Sequence, residues 1–367
     1  MQKLEESKHE DLFSRKTIVD LRSSLLAWYD LNRRDLPWRR TNDPYAIWVS
    51  EIMLQQTRVA AVTERYEAFM RSFPSVHALA SAAEADVLAL WSGLGYYRRA
   101  RMLHKAAKVV VLEHGGNMPR TAADLRELPG IGAYTSAAIA SIAYGEPIAV
   151  VDGNVERVIQ RLAGWGSGER SSQAELIRSI DQLANILLDP SRAGDFNQSM
   201  MELGATVCLP KGPKCLVCPL QNICKTCGEH PTPVRARMSS RNAAYALVMR
   251  GRSKSGEVLL EQRSEDQTVM PGMWELPALR DVEVASHHTH LAVRHAIMQV
   301  NYNVRIRAVS EDDVEELTIP SASRRWVCLR DLSALPLTGL ARKVLLRARL
   351  PELAADPKIS ESAVPAD

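Results

Sequence analysis

The chain has 367 residues, 46% of them hydrophobic, enough for two ordinary domains and too apolar for a disordered chain. Its 46 Lys and Arg against 43 Asp and Glu leave a formal charge of +3, which excludes a histone-like polycation and an acidic tail protein but not a local basic patch. No run of 18 apolar residues occurs and the N-terminal MQKLEESKHEDLFSRK lacks an apolar h-region, so neither a membrane span nor a signal peptide is expected, and the chain reads as cytoplasmic.

Residues 1–16 read as a polar tail, and 17–227 as almost entirely helical. Asp43-Pro44 predicts a helix start, with Pro at the first helical position and the helix running through YAIWVSEIMLQQT. Val59, Val62, Tyr66 and Phe69 recur on one helix face. Thr121 with Asp124 resembles a capping box that opens a short helix ending near Leu128. In LPGIGAYTS (128–136), Gly130 and Gly132 can take positive φ, and a helix starting at about Ala133 aims its N-terminal dipole the same way. A G-x-G turn between helices is weak evidence alone; with Pro129 before it and the cysteines downstream it reads as a helix–hairpin–helix (121–143) that binds a DNA backbone phosphate. The alanine-rich TSAAIASIA (135–143) suits closely packed helices.

Four of six cysteines fall in C-x6-C-x2-C-x5-C, at Cys208, Cys215, Cys218 and Cys224. In a reducing compartment this pattern points to metal, and four thiolates suit zinc or iron–sulfur. A single short pair between two wider gaps favours a loop (208–224) around a [4Fe–4S] cluster. Cys227 reads as a bystander and Cys328 as a core residue. Along 208–242 Lys211, Lys214, Lys225, Arg235, Arg237 and Arg241 stand against Glu229, either as a solvated loop or as cations for phosphates.

The composition shifts after Cys227. Residues 228–242 read as a linker rich in Pro, Ser and Arg. AAYALVMRG and EVLLEQR predict a hairpin, VNYNVRIRAV (300–309) and RRWVCLR (324–330) predict further strands, and TGLARKVLLRARL predicts a closing helix before the polar tail 351–367. The predicted architecture is mainly α: a helical domain (17–227), the linker, then a smaller α+β domain (243–350).

The turn LPGIG, the later VDGNVERV and the cysteine spacing resemble the endonuclease III, or helix–hairpin–helix, superfamily of DNA glycosylases. Within it, LPWRR (36–40), SEIMLQQTRV (50–59), GLGYYRRARMLHKAAK (93–108) and FNQSMMELGA (196–205) are similar to the MutY adenine glycosylases, over roughly 20–227. MPGMWELPAL (270–279) more loosely resembles their MutT (Nudix)-like domain. The resemblance implies a helix–hairpin–helix glycosylase with an iron–sulfur loop. It would be a cytoplasmic, nucleoid-associated monomer that removes adenine opposite 8-oxoguanine or guanine in double-stranded DNA and has no membrane partner.

Breaking an N-glycosidic bond passes through an oxocarbenium-like state, which calls for an acid at the leaving base and a negative charge near the sugar. Glu51, between Trp48, Ile52 and Leu54, suits the acid if buried; read alone it is equally a surface carboxylate. Asp152 suits the charge, and is equally a helix N-cap before Gly153. The resemblance assigns both to catalysis. It places Tyr134 where bifunctional relatives carry a lysine, so that Tyr134 holds Asp152 or the intermediate, and it makes Asn154 an orienting group. It further puts Trp38, Arg39 and Leu54 around the flipped base, makes Gln56 and Tyr96 wedges in the duplex, and sets Thr57 and Leu94 beside the opposing base.

Two departures concern the second domain. The stretch after Pro277 lacks the R-E-x-x-E-E carboxylates of a working Nudix hydrolase, so pyrophosphatase activity is not expected. The family's Phe-Ser-His turn for 8-oxoguanine reads Ile297-Met298-Gln299, with Gln299 left to hydrogen-bond the lesion. Two other functions compete with this reading: a G·T mismatch glycosylase of the same superfamily, and a non-catalytic iron–sulfur protein that binds DNA damage.

Overall fold

The computed structural model describes residues 12–166, 172–229, 238–251, 256–264, 266–267, 269–283, 285, 288–297 and 300–348. Both predicted tails lie largely outside these residues, as do most of the linker, the 252–255 turn, Met298 and Gln299. Helices α1 (Arg15–Asn32), α2 (Pro44–Leu54), α3 (Val59–Ser72), α4 (Val76–Ser81), α5 (Glu84–Leu90), α6 (Arg98–His114), α7 (Ala122–Leu125), α8 (Ala133–Tyr144), α9 (Gly153–Ala163), α10 (Gln173–Leu187) and α11 (Ala193–Thr206) precede the strands. No helix among the described residues is long and apolar enough to cross a membrane. The described residues form two units. One comprises those up to Ala80 with those from Lys105 to Arg235; the other joins Ser81–His104 to those from Ala236 onward. The composition shift after Cys227 does not announce this excursion of 81–104.

In the first unit, Asp43 caps α2 by accepting the Tyr45 N–H at 3.0 Å, with Pro44 opening the helix. Nine consecutive α2 residues, Tyr45 to Met53, are buried, so this helix is enclosed by its neighbours on all sides. It ends at Leu54 rather than running on to Thr57, because Gln56 adopts φ 55°, outside helical space. Thr121 caps α7 as expected by accepting the Asp124 N–H at 3.1 Å. That helix stops at Leu125, and Arg126 to Leu128 continue as tight i→i+3 turns. Helix α8 begins at Ala133, but only Gly130 uses the left-handed region (φ 79°); Gly132 is extended at φ −96° and needs no glycine freedom.

Helix α11 carries two glycines that permit close approach. A Cβ on Gly194 would lie 2.7 Å from the Ser141 carbonyl of α8, and one on Gly204 would lie 2.6 Å from Asn154 Cβ on α9. Helix α11 therefore packs tightly against both elements that carry Tyr134 and Asp152. The core beneath joins Leu21 and Leu25, Val158 and Leu162, Leu183, Phe196 and Leu203, with Cys208, Cys218 and Cys224 packed on it.

The second unit is built on a mixed sheet. Strands β1 (Ser239–Arg250), β2 (Glu257–Gln262), β3 (Trp274–Glu275), β4 (Leu291–Ile297) and β5 (Val300–Val309) take the order β3-β2-β1-β5-β4. Helix α12 (Val314–Leu317) follows, then β6 (Arg324–Cys328), which pairs with β2. Strands β1 and β2 form the expected antiparallel pair, while β1 and β5 run parallel from Ser239↔Val300 to Val248↔Val309. Helix α13 (Gly339–Arg347) starts at the Thr338 cap and buries Leu340, Val344 and Leu345 against Val258, Leu260 and Ile306. Among the described residues of 277–297 the regular element is β4, which places Arg294 and His295 opposite Asn303 and Tyr302. Cys328 ends β6 half-buried rather than in the core.

Candidate active site

A cavity of about 590 Å³ opens in the first unit. Its walls come from the Pro37–Arg39 turn, the end of α2, the start of α8, the cap of α9 and one face of α11. Of the residues singled out in the sequence, Glu51, Asp152, Tyr134, Asn154, Trp38, Arg39, Leu54, Gln56 and Thr57 all line it. The two carboxylates expected to be catalytic therefore face one space, one from α2 and one from the cap of α9.

Their environments differ. Glu51 is only 5% exposed although it borders the cavity, because α2 is wrapped by other elements. Burial is the main reason that its carboxyl is pushed from the usual 4.5 up to about 7, and the nearby charge of Asp152 pushes the same way. The Tyr134 hydroxyl donates to Glu51 Oε2 at 2.8 Å and works against this shift, as does Arg39. The partner of the Tyr134 hydroxyl is therefore Glu51, the carboxyl on α2, rather than the expected Asp152, whose own hydrogen bonds go to the start of α9. The same hydroxyl lies 3.4 Å from Met201 Sδ, and burial holds the phenol well above its ordinary range.

Asp152 is the N-cap of α9. Its Oδ1 accepts the N–H groups of Asn154 (2.9 Å) and Val155 (2.8 Å), and its Oδ2 accepts Asn154 Nδ2–H at 2.8 Å. Three donors at a helix N-terminus thus fix the carboxylate in place. The cap and the site-facing carboxylate are the same group. Arg157 in turn fixes Asn154, donating to its Oδ1 at 3.0 Å and to the carbonyls of Gly204 and Cys208 at 2.8 and 2.9 Å.

Trp38 is buried edge-on to Tyr66, with ring centroids 5.4 Å apart. Gln56 is exposed in its left-handed conformation at the cavity edge, and Thr57 closes the turn through an N–H to the Leu54 carbonyl. Leu94 and Tyr96 belong to the other unit and line no part of this cavity; Leu94 is buried whereas Tyr96 is 49% exposed. Gly130 and Gly132 are exposed in the hairpin turn, and a Cβ on Gly132 would meet nothing within 4 Å, which leaves room for a backbone to approach. Gln299 lies outside the described residues.

Cys208, Cys215, Cys218 and Cys224 line one small pocket below the α9–α11 core. Burial pushes the Cys218 thiol up to about 11, and Cys208, Cys224 and Cys215 each add to the rise, as expected when four sulfurs face one another. Arg161 Nη1 donates to Cys208 Sγ at 3.3 Å and the Cys227 N–H to Cys224 Sγ at 3.5 Å, both suited to anionic sulfur. Cys227 itself borders the pocket at an exposed edge, its thiol directed to the carbonyls of Gln221 and Cys224. Among the described residues no three His, Cys, Asp or Glu side chains stand at the spacing of a single bound ion.

Residues 49–182 match the HhH-GPD superfamily of base excision DNA repair proteins. An adenine DNA glycosylase of Mycolicibacterium smegmatis is 42% identical over 229 residues, covering 62% of this chain and 77% of that protein. The chain belongs to the HhH-GPD superfamily, among its MutY-type members. The human adenine DNA glycosylase is 49% identical over 217 residues, 57% of this chain and 39% of that protein. The chain thus spans about two fifths of the length of the mammalian relatives it matches. A solved structure of a thermostable thymine-DNA glycosylase superposes with a TM-score of 0.51 at 33% identity, over 56% of this chain and 93% of that one.

Part of the cavity of this superfamily member escaped the sequence reading. Glu202 on α11 has a fully buried side chain at the cavity wall. It accepts Arg34 Nε and Nη2, both at 2.7 Å, and Arg39 Nη2 at 2.8 Å. These two guanidiniums overcome burial and hold its carboxyl down at about 2. Gln198 and Met201 border the same wall. Gln55 Nε2 donates to Thr135 Oγ1 at 3.1 Å, tying the end of α2 to α8. Two signals in the sequence point to this wall: the family-like stretch FNQSMMELGA, and the i, i+3, i+4, i+7 spacing of Gln198, Met201, Glu202 and Ala205 on one helix face, which is common to many helices.

Proposed function

We propose that this chain is a monofunctional adenine DNA glycosylase. It takes adenine out of A·8-oxoguanine and A·G pairs and hydrolyses the bond to deoxyribose. The observation that carries this reading is the buried Glu51, with its carboxyl raised to about 7, sharing one cavity with the capped Asp152. Near neutral pH a substantial fraction of Glu51 holds a proton that it can give to the adenine ring. As the N-glycosidic bond breaks, its electron pair leaves with adenine and positive charge develops on the sugar. Asp152, oriented by Asn154 and the α9 N-terminus, stabilises that charge. Water then adds to the sugar carbon and its proton returns to Glu51, leaving free adenine and an abasic site. The phenol of Tyr134 cannot form a Schiff base and no lysine among the described residues lines the cavity, which supports hydrolysis without strand cleavage. A backbone phosphate would sit at Gly130–Gly132, and Gln299 would take part in reading 8-oxoguanine.

The four cysteines fit a [4Fe–4S] cluster by donor type, by convergence on one pocket and by the N–H groups aimed at their sulfurs. Cys208, Cys215, Cys218 and Cys224 would hold it. When bound, the cluster supplies four metal–thiolate links that fold the loop bearing Lys211 and Lys214, a surface suited to DNA phosphates. The protein is expected to act as a monomer on nucleoid DNA and, once purified, to contain about four irons per chain. Stoichiometric zinc without iron would overturn the cluster.

A single-turnover assay on duplexes with A opposite 8-oxoguanine, G, C and T tests the reaction. Release of adenine from the first two supports the proposal. The thymine-DNA glycosylase likeness favours one competing function, so a G·T duplex belongs in the same experiment. Thymine release there without adenine release would replace the proposal. Tight binding with no base released would favour the non-catalytic reading.

A further inference from the structure

The turn Trp91–Tyr97, between α5 and α6, is strained in one direction. Gly93 and Gly95 take φ 96° and 68°, and Tyr96, which is not a glycine, takes φ 49°. The glycines adopt positive φ freely, but a tyrosine keeps it only where the surroundings over-determine it. Trp91, Leu94 and Tyr97 are each at most 4% exposed, whereas Tyr96 is 49% exposed. The strained backbone thus turns a single aromatic ring outward and buries the side chains around it.

Two sets of contacts hold the turn. Within it, Trp91 Nε1 donates to the Gly95 carbonyl at 3.1 Å, and Arg99 Nη2 donates to the carbonyls of Leu94 and Gly95 at 3.0 and 3.1 Å. The Arg99 guanidinium also lies 5.4 Å from the ring centres of both Trp91 and Tyr96. The second set comes from the far end of the chain. Tyr97 OH donates to the Leu337 carbonyl at 3.0 Å, Arg342 Nη1 to Ser92 Oγ at 2.8 Å, and Arg101 Nη2 to the Pro271 carbonyl at 2.6 Å. The Leu329–Ala334 turn packs on α5 as well. All these partners lie in one compact unit with 81–104.

We propose that the C-terminal part of the chain positions the Trp91–Tyr97 turn, so that Tyr96 meets DNA with its backbone already formed. This rests on the reading of the chain as a DNA glycosylase, for which an exposed, pre-set aromatic is suited to stacking on a base. Tyr97 and Arg342 are then positioning residues. Cutting the chain after Arg237 would therefore weaken binding to every duplex, A·G included, in addition to the lesion preference lost with Gln299.

The test uses the full chain with Tyr97→Phe and Arg342→Met combined, which removes the bonds to Leu337 and Ser92 and keeps most of each side chain. Amide hydrogen exchange without DNA is expected to speed up at least tenfold over 92–97 and to stay unchanged in α2 and α9. Unchanged exchange in the turn, or an equal rise across the sheet strands, would overturn the proposal. Arg342→Lys in the Tyr97→Phe background retains a donor for Ser92 and is expected to restore part of the protection. Affinity for A·G and A·8-oxoguanine duplexes is expected to fall roughly tenfold, by the same factor for both; loss confined to the lesion duplex would contradict it. Tyr96→Ala separates the two levels of argument. If it binds DNA like the wild type while the wild type still releases adenine, presentation of Tyr96 to DNA is wrong and the glycosylase reading stands. If the wild type releases no base, the parent reading is the one that fails.

Discussion

Two buried glutamates, one in each unit, share an electrostatic signature and differ in everything around them. Glu51 and Glu275 both have carboxyls raised to about 7 by burial, and each accepts a hydroxyl, from Tyr134 at 2.8 Å and from Thr338 at 2.6 Å. Glu275 spends its other oxygen on the Leu276 N–H, and its hydroxyl partner caps α13, so the group is consumed in joining β3 to that helix. Glu51 instead borders a cavity that Asp152 also lines, its carboxylate held by Asn154 and Val155 rather than by an arginine. Glu202, equally buried, goes the other way and falls to about 2 because two arginines meet it. A shifted acid is therefore a weak marker of chemistry; the shared cavity and the facing Asp152 distinguish Glu51 from Glu275.

The sharpest way to break this comparison is catalytic. Glu51→Gln is expected to lower single-turnover adenine release by about a thousandfold while keeping DNA binding, since removing a general acid costs about 10²–10⁴ in rate. Glu275→Gln is expected to leave release within about twofold. Comparable losses in the two variants would show that burial, and not the cavity, is what matters.

Stability separates the three carboxylates next. Glu202→Gln leaves Arg34 and Arg39 without their anion and is expected to destabilise the fold by about 3–5 kcal/mol at neutral pH, measured by denaturant unfolding. Because the folded-state value of Glu202 is depressed, its contribution is present above about 4.5 and is lost as pH falls towards 2. For Glu275 the sign reverses. Its raised value makes the neutral form the stabilising one, fully below about 4.5 and lost as pH rises through 7. Glu275→Gln is accordingly expected to stabilise the protein at pH 8 by up to about 3 kcal/mol relative to its effect at pH 4. A pH-independent effect would mean that Glu275 is not the titrating group.

The smallest effect concerns Tyr134. Its hydrogen bond favours the ionised form of Glu51, so Tyr134→Phe is expected to raise the Glu51 value further. The falling limb of the rate–pH profile, expected near pH 7 in the wild type from the Glu51 value, then moves to higher pH, with less than about a tenfold change in the plateau rate. A shift to lower pH would mean that Tyr134 supports the neutral acid instead.

Much of this was readable from local chemistry. Asp43-Pro44, Thr121 with Asp124, and the start of α8 at Ala133 all appear where capping and turn rules place them. Strand β5 spans Val300–Val309, as its alternation predicts. The cysteine spacing marked residues that line one pocket. Signals of this kind act over a few residues, through φ preferences, cap hydrogen bonds and side-chain period, so they survive in a linear text. The misses at α2 and α7 were ends of helices: their starts are set by a capping side chain, whereas their stops depended on the turns that followed.

What remained hidden joins residues far apart in the chain. Tyr134 and Glu51 are separated by 83 positions, Arg34 and Glu202 by 168, and Tyr97 and Leu337 by 240. Local preferences allow Tyr134 to face either carboxylate, and the packing of α8 on α2 selects Glu51. They allow Glu202 to be a surface residue, and the approach of α11 at Gly194 and Gly204 buries it between two arginines. They read 81–104 as more of the helical domain, and hydrogen bonds to Leu337, Pro271 and Arg342 place it with the sheet. Backbone preference is a property of neighbours in the chain, whereas which side chains meet across the core follows from how whole elements pack.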